Sequence, residues 1–219
     1  MLVDFEREPN LPGEPDVCIV GAGIAGLVLA TELARHGLTV LVLEGGGERD
    51  EVRSQALYAV RTVGRPHVGA VDGRARVLGG SSTRWGGQLL PLEPPDFVER
   101  PEIAGSGWPF TGNEFAEYLE RAPSFLRTDP VDSDATSARR RRRTVPAWRA
   151  DRLQPRWSVW APWRFRNVAR NLRDQLKRQG RLVVATHANV VEIMGQAGRV
   201  DGLRVRSYAG REQRVRPRA

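Results

Sequence analysis

One lysine, one cysteine and three histidines are all that this 219-residue chain holds of three common functional side chains. A lone Cys18 excludes an internal disulfide and fits a reducing compartment, where it is expected to pack as a small buried hydrophobe in a strand. The histidines, His36, His67 and His187, have no partner spacing that suggests a metal site or a nucleophilic triad. His67 precedes a glycine-rich loop and is the one placed to approach a ligand there; His36 sits in a turn, and His187 follows a strand. Long apolar runs are also missing. Val17 to Ala30 is too short to span a bilayer and is interrupted by three glycines. The N-terminal MLVDFEREPNLPGEPD has acids and prolines where a signal peptide needs a basic start and an apolar core, so a cytoplasmic protein without membrane contact is expected.

What the chain does have is arginine. Lys177 is the only lysine among 34 basic residues, and the net charge is +8. The run Arg139 to Arg143 invites a nucleic-acid reading, yet no aromatic residue interleaves it and Asp129, Asp132 and Asp134 precede it. An exposed, solvated loop from Thr128 to Thr144 is expected instead. With 40% hydrophobic and 27% charged residues, the remainder is ordinary for a globular α/β protein.

The most informative stretch is VCIVGAGIAGLVLATELARHGLTVLVLEGGG, residues 17 to 47. Val17 to Val20 suits a buried parallel strand, Leu27 to Ala34 carries helical spacing up to His36-Gly37, and Leu38 to Leu43 is a second apolar run ending at Glu44. Gly21, Gly23 and Gly26 stand at GxGxxG spacing between the first strand and the helix. Such glycines allow a tight turn, close approach of backbone to a pyrophosphate, and tight helix–strand packing, while the helix N-terminus offers free amides. Glu44, eighteen residues after Gly26, is placed to accept hydrogen bonds from ribose hydroxyls, and its charge argues against a 2′-phosphate. The fingerprint alone serves NAD and FAD alike. Its N-terminal position, and the Gly45-Gly46-Gly47 that follows Glu44, resemble the FAD-binding motif of flavin-dependent oxidoreductases.

A second cluster, VLGGSSTRWGGQLLPLEPPDF at residues 77 to 97, sets a flexible, hydroxyl-rich loop beside a tryptophan. Together with SGWPFTGNEFAEYLERA at 106 to 122, and with RLVVATHANVVEI and GRVDGLRVRS near the end, it resembles the glucose-methanol-choline (GMC) oxidoreductase family. The resemblance implies a Rossmann-like α/β fold with a partial excursion on the substrate side: 1–100 as the first part of the FAD domain, 101–180 as the excursion, 181–219 as its second part. It implies that Gly21, Gly23, Ile24, Ala25 and Gly26 hold the pyrophosphate and Glu44 the adenosine ribose. Gly79, Gly80, Ser81, Ser82, Trp85, Gly86 and Gly87 would face the flavin or its ribityl chain, and backbone near Val190 the adenine. Some relatives attach FAD covalently to a histidine just before this tryptophan; Arg84 stands there, so non-covalent FAD is expected.

The implied reaction is oxidation of a small-molecule alcohol, sugar- or polyol-like, by hydride transfer to flavin N5, with an unknown electron acceptor and no metal. Full-length relatives bring a C-terminal histidine that this chain does not match, so a truncated, inactive N-terminal part is expected, its catalytic residues unknown. A non-catalytic flavin- or nucleotide-binding protein on the same fold, and an arginine-rich nucleic-acid module, are the alternatives. Elsewhere, a short helix is expected at Asn113 to Leu119 capped by Thr111, an amphipathic helix from Phe165 to Leu176, and a strand at Leu182 to Ala185. Trp148, Trp157, Trp160 and Trp163 are read as packing, with stacking on a sugar as the second possibility.

Overall fold

The computed structural model describes residues 1–8, 10–128, 158–196 and 198–218. The arginine run, Trp148 and Trp157 lie outside the described residues. Two compact units form: Met1–Trp85 with Asn167–Ala219, and Gly86–Arg166. The first break between these units falls inside the second glycine cluster, between Trp85 and Gly86.

The first unit is a Rossmann-like α/β domain. Four parallel strands, β1 (Leu2–Asp4), β2 (Val17–Val20), β3 (Val40–Leu43) and, much later in the chain, a strand over Leu182–Thr186, lie in the order β1, Leu182–Thr186, β3, β2. Helix α1 (Ile24–Arg35) connects β2 to β3, as the sequence pattern requires. It ends because Gly37 adopts φ +90°, which lets its amide reach Ala34 O and the Leu38 amide reach Leu33 O. β3 is buried along its whole length because the sheet is covered on both faces. Leu41 and Leu43 join Phe5, Ala185, Leu203, Val205 and Val215 in one apolar cluster. Val40 and Val42 project to the opposite face by the alternation of a strand. Each such buried leucine or valine contributes about 1.5–3 kcal/mol.

β2 is parallel but only partly buried, with Ile19 in the core and Val17 and Cys18 half-buried. It is the outer strand of the sheet, and Val20 is 56% exposed. Its apolar composition signals a central strand, whereas its place at the edge follows from what pairs with β3 on the other side: the strand Leu182–Thr186, in register Val40 with Leu182 through Leu43 with Ala185.

After β3 come α2 (Val52–Gln55) and a series of single helical turns that lead to Trp85. In the second unit, β4 (Gln88–Leu89) pairs antiparallel with β5 (Val159–Trp160), and α3 (Pro94–Phe97) precedes α4 (Gly112–Leu126). α4 is twice the expected length and carries Pro123 within it. Its start matches the reading: the Thr111 hydroxyl accepts from the Glu114 amide while the Glu114 carboxylate accepts from the Thr111 amide. Phe97, Phe110 and Phe115 pack ring on ring, with Trp108 against Phe110. Trp160 and Trp163 are 50% and 82% exposed, so neither is a packed core residue.

The chain then re-enters the first unit at α5 (Val168–Arg178), shifted about one turn from its expected start because Asn167 caps it. Val168, Ala169, Leu172 and Leu176 form its buried stripe. The strand Leu182–Thr186 is β6, and β7 (Asn189–Gln196), β8 (Arg199–Arg206) and β9 (Glu212–Val215) make an antiparallel sheet. Among the described residues no helix is long and apolar enough to cross a membrane.

Candidate functional site

The three fingerprint glycines have three separate causes. Gly21 has φ +98°, a conformation that L side chains avoid. Gly26 packs so closely that an added Cβ would strike Gly21 O and lie 3.3 Å from Ile19 Cγ2. Gly23 is different: a Cβ there would meet nothing within 4 Å. Packing does not demand glycine at Gly23, so the space in front of it is open for a ligand that needs close backbone approach. Gly23 is also the N-cap of α1. It carries no side-chain cap, no acid stands in the first turn, and the first intrahelical bond runs from the Leu27 amide to Gly23 O. The amides of Ile24, Ala25 and Gly26 have no intrahelical acceptor, and Ile24 and Ala25 are exposed. That end of the helix is electropositive and suited to an anion.

The second glycine cluster folds onto the first. The Gly79 amide donates to Ala22 O at 2.9 Å, and Gly80, at φ +54°, lies so near that its Cβ would be 3.0 Å from Gly23 Cα. Ser82 is buried and its hydroxyl is used twice, donating to Gly79 O at 2.6 Å and accepting from the Val168 amide at 3.2 Å. It ties the loop to the start of α5. Ser81 is exposed and Trp85 half-buried. Gly86 and Gly87 belong to the other unit, where Gly87 O accepts from the Ala161 amide at 2.8 Å. Arg84 turns to Asp50 at 3.1 Å and to Arg74 O at 3.2 Å.

Glu44 is only 6% exposed and both its oxygens are engaged. Oε2 accepts from the Ala22 amide at 2.9 Å and Oε1 from the Gly46 amide at 2.8 Å. The acid thus braces the fingerprint turn against the turn that follows it, with lone pairs left for hydroxyl donors. Its own carbonyl accepts from the Ala188 amide at 2.8 Å, which brings the segment leading into Asn189 and Val190 beside it. Val190 is half-buried at the start of β7, opposite Val205.

The Gly45-Gly46-Gly47 run has a packing cause that the sequence did not disclose. A Cβ at Gly45 would come within 2.7 Å of Arg76 Cζ and of Asn189 Oδ1, one at Gly46 would strike Arg76 O, and one at Gly47 would lie 2.7 Å from His187 Nε2. These glycines seat the segment that enters the second cluster, whose Leu78 amide donates to Gly47 O at 2.9 Å.

His187 has a partner set that no local spacing announces. It is buried, at φ +53°, with Nδ1 2.8 Å from Asp4 Oδ1 and Nε2 3.1 Å from both oxygens of Glu51, while its amide donates to Gly46 O at 2.9 Å. One ligand atom from each of Asp4, Glu6 and His187 lies within 4.8 Å of the others. Arg53 already occupies Glu6 through both terminal nitrogens, at 3.1 and 2.7 Å, and supplies the positive charge there. His67, by contrast, is exposed near its own turn. The half-buried Cys18 thiol is pushed up to about 12 by burial, as a packed, unreactive cysteine should be.

In the second unit, a cavity of 830 Å³ is walled by Phe97, Trp108, Phe110 and Phe115. Its one carboxylate, Glu114, is committed to the α4 cap, so it offers apolar surface rather than acid–base chemistry.

The profile of the NAD(P)-binding Rossmann-like domain matches residues 19–48. A 6‴-hydroxyparomomycin C oxidase of Streptomyces lividus is 30% identical over 118 residues, 48% of this chain and 21% of that protein. Among solved structures, pyridoxine 4-oxidase from Mesorbium loti aligns with a TM-score of 0.58 at 19% identity, covering 93% of this chain and 48% of that one. Formate oxidase from Aspergillus oryzae, studied for modification of its FAD, aligns with a TM-score of 0.55 at 15% identity, covering 95% and 45%. The chain thus spans about half the length of these structures and about a fifth of the oxidase from Streptomyces.

Proposed function

We propose that this chain forms the dinucleotide-binding part of a GMC-type oxidoreductase that holds FAD non-covalently and oxidises an alcohol group of a small molecule. The observation that carries the reading is the open space at Gly23, bordered by the free amides of α1 and by Gly80 of the second loop. The names of the similar proteins support an oxidase that uses FAD. The residues present fit the cofactor. Ile24, Ala25 and Gly26 would donate amides to the pyrophosphate, Glu44 would accept from the ribose, and Gly79 to Ser81 would border the flavin side. When bound, FAD supplies the hydride-accepting ring, and the protein's part is to hold and orient it. Arg84, paired with Asp50, offers no ring nitrogen for a covalent link.

Proton removal from the alcohol is assigned to no residue of this chain. His187 is the buried histidine near Glu44, and both its ring nitrogens face carboxylates. Substrate, acceptor and turnover therefore belong to the reading of the whole protein. The test is an absorbance spectrum of the purified protein with added FAD, followed by acid precipitation. A flavin spectrum whose colour moves to the supernatant supports non-covalent FAD. Colour retained in the pellet contradicts that mode, and no binding at all contradicts the reading.

A further inference from the structure

Arg76 belongs to neither expected cluster, yet its guanidinium lies directly over Gly45. It is fixed there by a hydrogen bond from a terminal nitrogen to Asn189 Oδ1, and Asn189 is held in turn by donation from its Nδ2 to Arg206 O at 3.2 Å. The Arg76 Nε is buried without a partner, and among the described residues no carboxylate pairs with the guanidinium. The Tyr58 ring, 5.8 Å from it, is already covered by Arg74 at 4.1 Å. A half-buried cation with no counter-charge is costly unless something electron-rich completes its surroundings.

Its position says what that would be. If Glu44 receives the ribose of a bound dinucleotide, the base attached to that ribose falls among the segments packed around Glu44: Gly45 with the Arg76 guanidinium over it, and Ala188–Asn189, whose Ala188 amide donates to Glu44 O. We infer that Arg76 is the residue of this chain that recognises the adenine of the cofactor. Its flat guanidinium, oriented by Asn189, packs on the base, and glycine at position 45 leaves room for it. This inference rests on the dinucleotide reading above.

The test is equilibrium binding of FAD, ADP and FMN to the full chain and to Arg76→Gln, Arg76→Lys, Asn189→Ala and Gly23→Asp, by flavin fluorescence and calorimetry. Arg76→Gln is expected to weaken FAD and ADP roughly tenfold and leave FMN unchanged. Arg76→Lys keeps the charge but not the plane, so it should follow Gln rather than wild type. Asn189→Ala, which frees an intact guanidinium, should weaken both adenine nucleotides less, and it carries the comparison if Arg76→Gln does not fold. Should Arg76→Gln bind FAD and ADP as wild type does, while Gly23→Asp loses FAD, the role of Arg76 is wrong and the site stands. Wild type binding neither FAD nor ADP removes both. A wild-type preference for 2′-phospho-ADP-ribose over ADP-ribose, lost in Arg76→Gln, would assign the guanidinium to a phosphate and overturn the adenine contact.

Discussion

His187 Nδ1 lies 2.8 Å from Asp4 Oδ1 across 183 positions of sequence. The imidazole reaches Glu51 with its other nitrogen, so one ring fastens the first strand to the segment after β3. Arg53 closes the group by bridging Glu51 and Glu6. A non-glycine residue at φ +53° costs about 1–3 kcal/mol, and the two carboxylate contacts offset it.

The first expectation concerns acid. Partial burial pushes the Asp4 carboxyl up, but the His187 hydrogen bond, the Glu6 amide and the charges of His187 and Arg7 outweigh it and hold Asp4 below its ordinary value. Glu51 is likewise held low, with burial opposed by Ser54, Arg53 and His187. A depressed folded value gives stability that is present above the ordinary carboxylate range and is lost as pH falls through the depressed one. His187→Gln should therefore be less stable than wild type at neutral pH. In urea titrations across pH, the gap should narrow on acidification; a constant gap would show that these carboxylates do not report on His187.

Gly23 and Gly26 should separate binding from folding. Gly23→Asp puts a side chain and negative charge into open space, so FAD affinity should fall at least 100-fold with little loss of stability. Gly26→Ala forces atoms against Gly21 O and should cost about 1–3 kcal/mol in denaturant. Retained affinity in Gly23→Asp would mean that the pyrophosphate lies elsewhere.

Glu44→Gln leaves one oxygen where two backbone amides need acceptors. One amide then faces an NH₂ group, at a cost of about 1–3 kcal/mol in the absence of any nucleotide. An unchanged unfolding midpoint in the apoprotein would contradict the brace.

Cys18 should resist alkylation. With its thiol pushed up to about 12, the thiolate at pH 8 is scarce, and iodoacetamide should label the native chain far more slowly than the unfolded one. Equal rates would place the thiol in solvent.

Local pattern made the βαβ unit legible, because strand, fingerprint, helix and Glu44 are contiguous and each has its own chemical signature. Contacts between distant segments were not. Val17–Val20 has the composition of a central strand and lies at an edge, since nothing local says that residues 182–186 take the other side of β3. The partners of His187 are at positions 4 and 51, beyond any spacing rule. The segment at Arg76 to Leu78 packs against the triple glycine, a contact that the glycine run alone does not announce. The hydroxyl of Ser82, a residue expected on the flavin side, also holds Gly79 and the start of α5, a partner 86 positions away that no local pattern announces.

The pairing of β1 with β6, Leu2 beside Val184 and Asp4 beside Thr186, also fixes an order of events during synthesis. β2, α1 and β3 can associate soon after they leave the ribosome, but β3 lacks its second neighbour, and β1 any neighbour, until residue 186 has emerged. At synthesis rates of about 5–20 residues per second, the apolar edge of β3 waits roughly 7–30 s for β6 to emerge beside it. A nascent chain stalled before residue 182 should bind chaperones, and one stalled well past 186 should release them.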